Sequence, residues 1–168
     1  IDGEKVGMTP YEGEYSPGEV RIKLIPQSLE MALVPYEAKI KLESGVKTIV
    51  RRKLGETEGE GSGLIISFDK TDLNETSISV VTKPDAAQVF IDGAFIDVSP
   101  TKQIADPGEH ELKVDAEGYS ESSLKIQAVP RYDLTAVFEL ERNESERKSE
   151  EKQADKTTTG EKVTILTT

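Results

Sequence analysis

The chain has 168 residues, enough for one large domain or two small ones, and with 35% hydrophobic and 32% charged side chains any core is modest. A formal net charge of -11 repels polyanions, and the absence of cysteine removes disulfides, thiol nucleophiles and cysteine metal sites. Nucleic acid is therefore not an expected partner. No apolar run approaches the roughly 18 residues of a transmembrane helix, and no charged-then-apolar leader opens the chain.

In chain order, the first feature is Ile1-Asp2-Gly3, which recurs as Ile91-Asp92-Gly93. Pro10 and Pro17-Gly18-Glu19 recur as Pro100 and Pro107-Gly108-Glu109, all at an offset of 90 residues with no gap. Asp-Gly suits a tight hairpin, and Pro-Gly suits a type II turn because Gly accepts positive φ. After Pro17-Gly18 the chain alternates Val20, Ile22 and Leu24 against Arg21 and Lys23, the period of a half-buried strand.

Residues 27–34 are an insertion relative to the later repeat and are expected as a loop or short strand. Two further strands are expected at 39–42 and 46–54, the second ending in Arg51-Arg52-Lys53. Those three cations could meet a phosphate or an anionic polymer, but successive strand residues point to opposite faces, so a solvated strand end is the favoured reading. The Gly-rich acidic stretch 55–63 reads as a flexible loop, and 64–68 as another strand of the first unit.

Strands at 77–81 and 88–91, hinged at Lys83-Pro84-Asp85-Ala86, open the second unit. Leu112 and Val114 alternate after Pro107-Gly108, a strand is expected at 123–127, and Leu134, Ala136, Phe138 and Leu140 alternate in the last one. At the 90-residue offset, the counterpart of the strand at 77–81 would precede residue 1. The first unit is therefore expected to lack a strand and to present an open sheet edge. Because Ile1 falls inside a recurring motif, the chain reads as an excerpt, with an anchor or signal expected upstream.

Residues 143–160 have a linker composition, and 163–166 resume strand character. The latter reads as the first strand of a following segment or, as a lesser alternative, a strand docking on an open edge. The expected organisation is all-β: a first small antiparallel β-sandwich at 1–70, a linker at 71–76, a second at 77–142, and a charged tail at 143–168.

The run Lys83-Pro84-Asp85-Ala86-Ala87-Gln88-Val89-Phe90-Ile91-Asp92-Gly93, with Ser99-Pro100, Pro107-Gly108-Glu109-His110-Glu111-Leu112 and Gly118-Tyr119, resembles the PEGA domain. The first repeat shares Ile1-Asp2-Gly3, Gly7-Met8-Thr9-Pro10 and Pro17-Gly18-Glu19. It departs at Pro35-Tyr36, where the family has Gly-Tyr, and the second repeat departs at Asp97-Val98-Ser99-Pro100, where the family has Gly-x-Thr-Pro. The resemblance implies small, often repeated β-sandwich modules of bacterial and archaeal surface proteins, with no catalytic residues to carry over.

Chemistry-bearing residues are few. His110 is the single histidine, so no histidine triad or histidine metal cluster can form within the chain, and a structural role on its strand is favoured. The 32 Asp and Glu read as solvated surface rather than as a glycosidase pair. Tyr11, Tyr15 and Tyr36 could stack on a sugar, although core or turn packing is the favoured role.

Asp2-Gly3 and Asp92-Gly93 lack the remaining ligands of a calcium loop, and Lys162 lacks the glycine spacing of a phosphate loop. The tripeptides Asn74-Glu75-Thr76 and Asn143-Glu144-Ser145 match a glycosylation sequon at a length common by chance. No catalytic, metal or cofactor residue is assigned, and the ligand is not legible. The expected role is a non-catalytic spacer or scaffold of the cell envelope, outside the cytoplasm. Its candidate partners are a cell-wall polysaccharide or another envelope protein, and the alternative is a carbohydrate-binding accessory module of a larger enzyme.

Overall fold

The computed structural model describes residues 1–27, 32–57, 59–73 and 75–143. Outside them lie the expected tail from 144 onward, the strand at 163–166, Lys162, the middle of the 27–34 insertion, and sequon residues Asn74, Glu144 and Ser145. The protein is all-β, with eleven strands and no helix among the described residues.

The strands are β1 (Gly18–Leu24), β2 (Tyr36–Leu42), β3 (Ile49–Lys53), β4 (Ser62–Lys70), β5 (Thr76–Lys83), β6 (Gln88–Ile91), β7 (Ala94–Val98), β8 (Thr101–Ala105), β9 (Gly108–Asp115), β10 (Ser122–Ala128) and β11 (Tyr132–Glu139). Nine of them overlap the strands expected from alternation. The remaining two, β7 and β8, are edge strands exposed along most of their length, so no buried stripe betrays them in the sequence.

Three sheets form: a β1-β2 ribbon, a four-stranded sheet in the order β10-β9-β6-β7, and a five-stranded sheet in the order β3-β4-β11-β5-β8. Every pairing is antiparallel except β5 with β11, which is parallel. The five-stranded sheet runs across the boundary expected at 71–76. Its strand β4 pairs with β3 over five residues and with β11 over eight, joining the first half of the chain to the second. Alternation tells a strand which face to bury and says nothing about its neighbour, so this sharing leaves no mark in the sequence pattern.

The main core lies between the four-stranded and five-stranded sheets. Leu64, Ile66 and Phe68 of β4 meet Ile78, Val80, Leu134, Ala136 and Phe138 from the same sheet, with Val89, Leu112, Val114, Leu124 and Ile126 opposite. The odd-numbered residues of β4 face the other way, and the ribbon covers part of that second face. Lys41 on β2 pairs with Asp69 on β4 at 2.5 Å, and Tyr36 stacks on Arg52 of β3. On the ribbon, Ile22 and Ile40 are buried while Arg21, Lys23, Glu37 and Lys39 point to water. The result is three layers, with the shared sheet in the middle.

Turn chemistry recurs at the 90-residue offset. Asp2 and Gly3 have φ of 48° and 89°, and Asp92 and Gly93 have 52° and 79°, the positive pair a two-residue hairpin turn requires. In each case the Asp amide donates to a carbonyl on the next long strand, Arg21 or Glu111, and its carboxylate Oδ1 accepts from that residue's amide. Gly18 and Gly108, expected in type II turns, instead open β1 and β9 with φ of 144° and 145°. That φ region also favours glycine, but it belongs to an extended strand start and not to the third residue of a type II turn. At the β5–β6 hinge the buried Ser99 hydroxyl accepts from the Ala87 amide at 3.1 Å and bonds the Thr82 hydroxyl, which reaches the Pro84 carbonyl.

Candidate functional site

Register lines up side chains on the ribbon-facing side of the central sheet, because directly paired residues share a face. Arg52 pairs with Gly63, Gly63 with Glu139, and Glu139 with Lys83, giving one row across four strands. With no side chain at Gly63, the Arg52 guanidinium reaches over β4 and forms an ion pair with Glu139. The guanidinium also stacks on the Tyr36 ring, whose centroid lies 4.3 Å from Cζ.

Arg52 is 7% exposed and Glu139 31% exposed at the side chain. A buried guanidinium is tolerated only where its lost hydration is offset by charge and hydrogen bonds. Glu139 and Tyr36 supply part of that offset, yet Arg52 Nε has no hydrogen-bond partner among the described residues. Burial pushes the Tyr36 hydroxyl above its usual pKa, against the opposing pull of the Arg52 charge.

Arg52, Glu139 and Lys83 of this row line a cleft of about 460 Å³ between the end of the ribbon, the end of the central sheet and the residues Gly55, Thr57 and Gly61. Its charged lining comprises Lys23 and Glu37 from the ribbon and Arg52, Lys83 and Glu139 from the sheet, with Tyr36 between them. Lys23 lies 4.0 Å from Glu37, which also pairs with Arg21 at 3.4 Å. Lys83 has no ion-pair partner among the described residues.

The sequence singled out Arg51-Arg52-Lys53 as a unit, and the structure separates its members. Arg51 is exposed, Lys53 pairs with Glu141, and of the three only Arg52 has a buried side chain. Lys23, Glu37, Lys83 and Glu139 were missed, since nothing in their local sequence sets them apart from other surface charges. One signal was available: when β2 is aligned on β10, Arg52 falls at the position of Phe138, a fully buried core residue of the second half.

The other sequence candidates lie elsewhere. His110 donates through Nδ1 to Asp92 Oδ2 and through Nε2 to the Asp106 carbonyl, each at 2.7 Å, tying the β9 start to two turns. Both Asp92 oxygens are thereby engaged by protein groups. Tyr11 and Tyr15 are exposed in the segment before β1, their hydroxyls 2.7 Å apart, while Tyr36 sits between ribbon and sheet. No sheet aligns the three rings. Among the described residues no group of three or more His, Cys, Asp or Glu is placed to hold a metal, and no helix is long and apolar enough to cross a membrane.

No curated protein and no solved structure matches the chain. The family model that matches is the PEGA domain, over residues 75–144, which takes in β5 to β11 and leaves β1 to β4 outside. The Asp92-Gly93 hairpin, the Ser99 hinge and the Gly108 strand start all fall within this match, and residues 75–144 are thus a PEGA domain, a family of extracellular and surface modules.

Proposed function

We propose that the chain is a non-catalytic surface module, working outside the cytoplasm as a spacer or scaffold. In this reading residues 1–54 are a second PEGA copy without its opening strand, fused to the PEGA domain at 75–144 through the common sheet. Supporting it are the repeated motifs at the 90-residue offset and the identical hydrogen-bond pairs made by Asp2 and Asp92.

The single observation that carries the spacer role is β4, hydrogen-bonded along both edges to strands from the two halves. Bending between the halves would break that ladder, so the module transmits position rather than acting as two beads on a flexible string. Dye pairs attached near residue 5 and residue 121 test this through their distance distribution. A narrow distribution is expected. A broad one, or two rotational correlation times for the halves, would remove the spacer reading; turnover of a cell-wall polysaccharide that vanishes on substituting one carboxylate would remove the non-catalytic one.

The second reading is a carbohydrate-binding accessory module, favoured by the exposed Tyr11 and Tyr15. Retardation in polysaccharide gels that is lost in Tyr11→Ala would support it.

A further inference from the structure

We infer that the cleft over Arg52 is a binding site for an oxyanion, a carboxylate or a phosphate, of the kind surface polymers carry. The inference goes beyond the spacer reading and stands apart from it: a rigid spacer needs no ligand, and a ligand site does not require rigidity between the halves.

Three observations converge. The cleft gathers Lys23, Arg52 and Lys83 against Glu37 and Glu139, a cationic excess on a chain whose formal charge is -11. The Arg52 side chain is more than nine-tenths buried and lines the cleft, and its Nε, itself closed off from solvent, lacks a partner although the guanidinium is ion-paired and stacked. An alternating core would put an aliphatic or aromatic residue here, as the second half does with Phe138. A charged group at that position has a desolvation cost that packing alone does not repay, and an anion in the cleft would lower that cost through its charge.

Geometry sets the chemistry. Arg52 contributes its charge, with Nη1 committed to Glu139 and Nε closed off from solvent, while Lys23 and Lys83 line the cleft from different layers as flexible point charges. Tyr36 lines the same cleft, and burial raises its hydroxyl above its ordinary pKa. The adjacent carboxylates Glu37 and Glu139 disfavour a large multivalent anion. A single oxyanion, free or pendant on a chain, is what fits.

The test is an amide chemical-shift titration of the whole chain at constant ionic strength with inorganic phosphate, galacturonate and polygalacturonate, with chloride as the control salt. The expected result is saturable shifts at Tyr36, Arg52 and Gly61 with at least one of the three oxyanions. The Lys23→Ala/Lys83→Ala variant, which changes two charges at the cleft rim, should weaken Kd by about fivefold or more. Lys125→Ala, on the distant β10 where Lys125 pairs with Glu109, should leave Kd unchanged. Saturation by galacturonate and its polymer alone identifies a uronate ligand, and saturation by phosphate alone a phosphate one. Non-saturating shifts matching those with chloride, or equal affinity in the double variant and the wild type, would overturn the site.

Discussion

At the scale of single residues, His110 shows how a lone titratable group is absorbed by the fold. Both of its ring nitrogens face acceptors, the Asp106 carbonyl and the Asp92 carboxylate, an arrangement complete only in the doubly protonated imidazolium. Its pKa is accordingly raised above the ordinary 6.5, chiefly by the bond to the Asp106 carbonyl and next by the bond to Asp92. The Asp92 carboxyl is held below its ordinary 3.8, first by His110 and then by the Glu111 amide.

A raised histidine pKa means that the folded state binds the proton more tightly than the unfolded one. The stability this adds is fully present below about pH 6.5 and disappears as pH rises through the folded-state pKa. The depressed Asp92 pKa works in the opposite direction, with its contribution present above about pH 3.8 and lost on acidification. The pair is thus strongest in mildly acid solution. His110→Gln should lower Tm by a few degrees at pH 5.5 and by little at pH 8.5. Thermal melts of both proteins across that range check it, and a Tm difference that does not vary with pH would rule it out.

At the scale of elements, most strands were legible because their buried faces leave a period of two in the sequence. In β11, Leu134, Ala136 and Phe138 are buried in turn, and in β4 Leu64, Ile66 and Phe68 are. The pattern failed where a strand has no buried face, as in β7 and β8, and it was silent on partners. The cleft was hidden for a related reason: its charges come from β1, β2, β3, β5 and β11, brought together only by register and layer stacking. What the sequence did contain was Arg52, a charge where the repeat carries an aromatic residue.

Gly63 in β4 connects element geometry to that site. It lies between Arg52 and Glu139 in register, and a Cβ built on it falls within contact distance of the Arg51 carbonyl oxygen. That oxygen belongs to the backbone of the neighbouring strand and cannot swing aside. The φ of Gly63 is 157°, which further disfavours a side chain. Gly63→Ala should therefore push β3 away from β4, at a cost of about 2–4 kcal/mol. Chemical denaturation measures the loss. Accelerated amide exchange in β3 compared with β8, at the opposite edge, would place the damage, whereas a loss under 0.5 kcal/mol would show that the strands adjust without strain.

At the scale of the whole molecule, the family match and the folding unit do not coincide. The PEGA match begins at residue 75, after β4, yet β4 supplies three residues to the main core and pairs with the full length of β11. The apolar burial of Leu64, Ile66 and Phe68 is worth about 1.5–3 kcal/mol for each side chain. Their sum is comparable to the 5–15 kcal/mol that typically separates folded from unfolded domains. Removing β4 would also leave β11 as a sheet edge, with its backbone groups open to other chains.

A fragment of residues 75–143 should consequently melt far below one of residues 62–143, or aggregate, although both contain all the described residues of the family match. The longer fragment should approach the stability of 1–143, because the ribbon and β3 add contacts only on the second face and at one edge. Calorimetry of the three proteins decides the matter. Equal Tm values for 75–143 and 62–143 would make β4 an appendage of the PEGA domain. A drop of tens of degrees on removing residues 62–74 would make it a structural strand of that domain, and the rigid coupling between the two halves would follow from the same ladder.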